Sequence, residues 1–158
     1  MSQAPKFKAN PIQKILPPFW FFGGLAAMAV LHYVYPTPLG FPSQFRMFGW
    51  VVLAAAFVMA GLAKRRFDVA GTPVRPFTES TSIVDQGLFR YSRNPMYLAM
   101  GIGLAGFALV TGDGLSVVIV PGFYRLIESQ FIVHEERILA EKFGQAYLDY
   151  KSRVGRWI

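Results

Sequence analysis

The sequence predicts an all-α, polytopic membrane helix bundle of about four transmembrane helices, followed by an amphipathic helix on the cytoplasmic side. Three observations predict it. Of the 158 residues, 53% are hydrophobic and only 16% charged. The apolar residues are gathered into four runs almost free of charge, 15–35, 47–63, 95–112 and 114–133, each close to the roughly 20 residues a helix needs to cross the hydrocarbon. The basic residues lie almost wholly on one side of these runs. Four helices apolar on every face would need a polar shell in water, and a chain this short cannot supply one. So little charge with so many aromatic residues also excludes disorder and a coiled coil.

The first run, 15–35, contains His32 and no formal charge. It has the basic flank of a secretory signal, and Ala27-Met28-Ala29 has a small-x-small pattern. That tripeptide lies mid-run, whereas a cleavage site should follow the apolar stretch, so a retained helix is expected. The second run, 47–63, leads into a polar segment, 64–94, whose Gly and Pro residues mark turns. Phe77, Ile83, Val84, Leu88 and Phe89 give this segment material to bury. An ordered loop is expected, with a short extended piece at 81–84, folded over the cytoplasmic mouth of the bundle.

The third run opens at Pro95, which suits a first helical turn because its missing N–H would be unpaired there anyway. Gly101-Ile102-Gly103-Leu104-Ala105-Gly106 spells the dinucleotide fingerprint GxGxxG. It lies inside an apolar span with no strand before it and no acidic residue some 20 positions later, so it is read as helix packing. The fourth run carries Arg125 and Glu128, and Pro121 is expected to kink it. Beyond it, Leu139, Phe143, Tyr147, Tyr150 and Val154 recur at spacings of three and four. These predict one amphipathic helix over 135–154, packed on the bundle or resting in the lipid interface, with Trp157 as an anchor.

Lys6, Lys8 and Lys14 precede the first span, Lys64, Arg65, Arg66, Arg75, Arg90 and Arg93 separate the second from the third, and Arg137, Lys142, Lys151, Arg153 and Arg156 follow the fourth. Only Arg46 flanks the other side. The positive-inside rule then puts both termini and the middle loop in the cytoplasm, in the inner membrane of a bacterium or archaeon. The net charge of +7 suits anionic lipid and calls for no nucleic acid. With no cysteine, disulfides, thiolate metal sites and a Cys nucleophile are excluded. His32 and His134 fall at opposite ends of the topology, so no metal site is expected.

Three charged clusters remain. Tyr91, Arg93, Asn94, Pro95 and Tyr97 crowd the start of the third span, more than a positive flank with an interfacial aromatic requires. His134, Glu135 and Glu136 end the fourth span. Carboxylates there oppose the helix dipole, so a cation should face them: Arg93, Arg90 or a cationic ligand, if they are not simply solvated. Arg125 and Glu128, three residues apart, share a helix face and are expected to pair with each other or to meet a substrate.

The stretches AGTPVRP, IVDQGLFRYSRNPMYLAM and HEERILAEKFGQAYLDYKSRVGRWI together resemble the isoprenylcysteine carboxyl methyltransferase and phospholipid methyltransferase group of integral-membrane enzymes. The resemblance covers about 71–158. It rests on an Arg-(His or Asn)-Pro-x-Tyr element at Arg93 to Tyr97, a Glu-Glu-x-x-Leu element at Glu135 to Leu139, and a Phe-Gly-x-x-Tyr-x-x-Tyr tail at Phe143 to Tyr150. It implies a methyltransferase using S-adenosylmethionine, held at the cytoplasmic end of the last two spans beneath the C-terminal segment. Arg93 suits the cofactor's carboxylate, Glu135 and Glu136 its ammonium and ribose hydroxyls, and Tyr91 and Tyr97 its sulfonium. Asn94 stands where many relatives have His, which removes one general base.

Methyl transfer is then an in-line displacement to a lipophilic or small acceptor, a carboxylate, thiol or amine. Glu128, Glu136 or His134 would serve as base for an amine, and the first two spans, which lie mostly outside the resemblance, would choose the acceptor together with the Arg125 and Glu128 face. Two other readings compete. One is a non-catalytic scaffold keeping the fold, which should have lost Arg93 or the Glu pair. The other is a sterol-type, nicotinamide-dependent reductase, which should carry a further cationic cluster for a ribose phosphate. Oligomeric state is left open by the sequence, because the Gly/Ala face of the third span suits packing within or between chains.

Overall fold

The computed structural model describes residues 11–38, 42–73 and 81–158; the expectations for Lys6, Lys8, Arg75 and Phe77 concern residues outside these. The described chain is helical, with one isolated bridge between Pro38 and Asp113 in place of any strand. Its helices are α1 (Pro17–Val34), α2 (Ser43–Val69), α3 (Pro95–Thr111), α4 (Gly114–Ile127), α5 (Val133–Phe143) and α6 (Gln145–Arg153). A single 3-10 turn, Gly87–Arg90, precedes α3, and a π turn, Glu128–Ile132, joins α4 to α5 without a break.

α1, α2 and the continuous run Gly114–Phe143 are long and apolar enough to cross a membrane. α3, with 17 residues, lies at the lower limit of spanning length. The bundle is apolar on the outside as well as within. α2 buries little besides Gly49, Ala56 and Ala63 and exposes Phe48, Trp50, Phe57 and Val58, a surface that lipid solvates and water does not. At 27 residues it is about 40 Å long, longer than the hydrocarbon is thick, and its last turns carry Lys64 and Asp68, paired at 2.7 Å.

Helix contacts follow the small residues. α2 lies along α3, and a Cβ placed on Gly106 would stand 2.8 Å from the backbone nitrogen of Leu53. Gly103 faces Phe21 and Ala56, and Gly101 faces the ring of Tyr124. The GxGxxG stretch is thus a packing surface used within the chain. α1 packs on α3 and α4, with Phe21, Met28, Leu104, Phe123, Ile127 and Phe131 forming the core.

At the end of the bundle away from the Arg and Glu clusters, Gly112 (φ +68°) turns α3 into α4. Asp113, only 1% exposed, accepts hydrogen bonds from the backbone N–H and hydroxyl of Thr37 at 2.7 and 2.8 Å. Its other oxygen lies 3.0 Å from His32 Nδ1. The Thr37 N–H bond, helped by the hydroxyl and by His32, holds this carboxyl below its usual range despite burial. A depressed pKa stabilises the fold above the unfolded value and is lost as pH falls through the folded one. The thermal midpoint in detergent should therefore drop below about pH 4. Asp113→Asn should lower it by roughly 5–10 °C at neutral pH and abolish that acid step. An unchanged acid step in the variant would assign it to other carboxylates.

The tail differs from the single helix expected over 135–154. Gly144, with φ +54° and ψ −130°, occupies backbone space open to glycine alone, and it separates α5 from α6. α4 runs on through Pro121, and the departure from α geometry comes at the π turn instead. There Gln13, buried before α1, donates through Nε2 to the Gln130 carbonyl at 2.8 Å, satisfying a group at the turn.

Candidate active site

A cleft opens at the end of the bundle that carries the Arg and Glu clusters. Its walls are the starts of α1 and α3, the end of α2, the first half of α5, α6 and the segment leading into the 3-10 turn, and its empty volume is about 1160 Å³ including the open mouth. Arg93, Asn94, Pro95, Tyr97, Glu135 and Glu136 line it, with Ile83, Val84, Phe89, Met100, Leu139, Tyr147 and Tyr150. Of the loop, Ser82, Ile83 and Val84 line the cleft, in irregular conformation rather than as a strand, and residues 74–80 lie outside those described. Tyr150 donates to the Phe89 carbonyl at 2.8 Å, which ties α6 to that loop. Burial pushes the Tyr147 and Tyr150 hydroxyls up, so both stay protonated.

Pro95 opens α3 at its first turn, and Arg93 and Tyr97, four residues apart, both line the cleft. The Arg93 side chain is only 8% exposed and meets Glu136 at 3.1 Å through Nη2. Its Nε and Nη1 are buried without a well-formed hydrogen bond among the described residues, with the Tyr147 hydroxyl near the guanidinium. Tyr97 donates to Glu135 at 2.8 Å, fixing that carboxylate in the cleft. Glu136 is filled differently. Its two oxygens accept from Lys151 at 3.1 Å and from the Nε and Nη2 of Arg156 at 2.9 and 3.0 Å, beside the ion pair with Arg93. Asn94 Nδ2 donates to the Arg156 carbonyl at 3.0 Å.

The other expected residues lie apart. Tyr91 is 72% exposed and His134 faces Gln13 across the N-terminal segment; neither lines the cleft. Glu128 pairs with Arg156 rather than with Arg125, which is exposed. Arg156 itself had counted only as one more positive charge. The signal for it was present in the two carboxylates at 128 and 136, which needed a cation between them, but only the π turn brings them to one face.

Against α3 and beside the cleft, an apolar groove of about 510 Å³ is lined by Pro18, Phe21, Phe22, Ala56, Phe57, Ala60, Ala99, Met100 and Gly103. Pro18 and Met100 line both spaces. α1 and α2 have no extended packing against each other among the described residues, so the groove lies open on its lipid side.

Residues 45–146, about two thirds of the chain, match the family model described as phospholipid methyltransferase. An uncharacterized protein of Haemophilus influenzae is 36% identical over 63 residues, which is 40% of this chain and the whole of that protein.

Proposed function

Because the chain belongs to the phospholipid methyltransferase family, a family of membrane methyltransferases, we propose that it transfers a methyl group from S-adenosylmethionine to a lipophilic acceptor. The observation that carries this reading is Arg93, buried in the cleft wall with two nitrogens that make no well-formed hydrogen bond among the described residues. Each buried N–H left unpaired costs about 1–3 kcal/mol, a cost that a scaffold without a ligand has no reason to bear. A carboxylate removes it, and Glu135 in the same cleft suits an ammonium, so together they match the two ends of an amino acid. The aromatic and apolar lining from Phe89, Tyr97, Leu139 and Tyr147 suits the nucleoside and sulfonium.

The bound cofactor supplies an electrophilic methyl group, and the chain's part is alignment and exclusion of water. The loop at 82–84 and α6 cover the site for that purpose. Glu128 and Glu136 are engaged by Arg156 and Glu135 by Tyr97 and the cofactor's ammonium, which argues against all three as bases and favours an acceptor that needs none. The open groove that adjoins the cleft supports an acceptor carrying an apolar chain, entering sideways from the bilayer. The charge asymmetry supports a cytoplasmic cleft.

Titration of detergent-purified protein with S-adenosylmethionine and its demethylated product should show saturable binding in the micromolar range. Lipid extracts incubated with protein and methyl-labelled cofactor should gain label. An absence of binding at millimolar cofactor sinks the reading.

A further inference from the structure

The structure assigns a task to Arg156: we propose that it is a positioning residue, which engages Glu136 so that Arg93 keeps N–H groups free for the carboxylate of a bound amino-acid moiety. This rests on the methyl-donor reading above and adds to it a residue that touches no substrate.

The argument starts from the π turn. In an unbroken α-helix, residues 128 and 136 are eight apart and lie about 80° from each other around the axis. The π turn at Glu128–Ile132 takes up one extra residue, so the same eight residues make about two full turns and both carboxylates come to one face. Arg156 lies against that face. Its Nε and Nη2 form a fork on Glu136 and its Nη1 donates to Glu128, so every guanidinium nitrogen is used. The backbone holds it there: Arg93 N–H donates to the Gly155 carbonyl at 3.0 Å and Asn94 Nδ2 to the Arg156 carbonyl. Trp157 packs edge-on to Tyr124 at 4.8 Å between centroids.

The consequence falls on Arg93. A buried Arg beside a buried Glu would ordinarily form its own two-bond fork, and the charges would cancel. Here Arg156 occupies that fork, and Arg93 holds Glu136 by Nη2 alone. Arg93, Arg156 and Lys151 face Glu136 and Glu128, a surplus of one positive charge that a ligand carboxylate completes. Without Arg156, Lys151 alone still holds Glu136 by one oxygen, and the carboxylate turns its other oxygen fully to Arg93 and closes the anion site.

The test compares two ligands on the purified full chain. S-adenosylhomocysteine carries the amino-acid moiety, and 5′-methylthioadenosine is the same thioether nucleoside without it. Arg156→Gln should weaken S-adenosylhomocysteine by about ten- to a hundredfold while changing methylthioadenosine less than twofold, and Arg156→Lys should fall between. Removing the released carboxylate as well, in Arg156→Gln with Glu136→Gln, should restore most of the lost affinity. A merely structural role gives the reverse, with both ligands weakened alike and the double variant worse than the single. That pattern, or equal binding by Arg156→Gln and wild type, overturns the proposal. Failure of wild type to bind either ligand overturns the methyl-donor reading itself and the role of Arg156 with it.

Discussion

Arg93→Ala is expected to weaken binding of S-adenosylmethionine by roughly 30- to 1000-fold, the equivalent of about 2–4 kcal/mol for a desolvated charge-assisted pair. The structure isolates this effect from folding. Glu136 keeps Arg156 and Lys151 as partners when the Arg93 side chain is removed, so no buried carboxylate is orphaned. The Arg93 N–H that meets the Gly155 carbonyl is backbone and survives the change. The thermal midpoint of the variant in detergent should therefore stay within a few degrees of wild type. Arg93→Lys should recover only part of the affinity, since an ammonium restores charge without the planar fork. Calorimetric titration decides the matter: undiminished affinity in Arg93→Ala would remove the carboxylate from this position.

Gly106→Ala is expected to destabilise the bundle by about 1–3 kcal/mol, and Gly106→Leu by more. The added Cβ would meet the Leu53 nitrogen at 2.8 Å and the Gly49 carbonyl at 3.1 Å; at Gly49 it would meet the Val110 nitrogen at 2.7 Å and the Gly106 carbonyl at 2.8 Å. These neighbours are backbone, so no rotamer change relieves the overlap and α2 must move away from α3 as a body. Separation loses the dispersion along the whole seam, because a gap of under an ångström already forfeits much of each contact. The internal control is Gly61 on α2, where an added Cβ meets nothing within 4 Å. Gly61→Ala should be neutral or mildly stabilising through helix propensity. Thermal unfolding in one detergent, followed by circular dichroism, compares them; equal midpoints for Gly106→Ala and Gly61→Ala would contradict close packing.

The spans were legible because membrane insertion is written in composition: a run of apolar residues near 20 long has few other uses. The small-residue face of α3 was legible for a similar reason, as glycines in an apolar helix imply close approach. Its partner was not, since nothing in the sequence says that Gly49 rather than a residue of α1 meets Gly106. The Arg93 to Tyr97 and Glu135-Glu136 elements could be named as a site from residue type and order. Their division of labour could not. Glu135 and Glu136 are adjacent and alike in sequence, yet one points to Tyr97 and the cleft and the other into a cage of three cations. Tyr91 and Tyr97 differ as sharply, one exposed and one lining the cleft.

What the sequence determined by itself was the helical membrane architecture, the sidedness of charge and the set of residues from which a site could be made. These are local or additive properties, set by hydropathy and charge along the chain. The tertiary structure decided which of those residues meet. Contact between Arg156 and its two carboxylates depends on one extra residue in a helical turn and on a C-terminal segment 20 residues beyond Glu136 and 28 beyond Glu128, and a long-range coincidence of that kind leaves no period in the sequence.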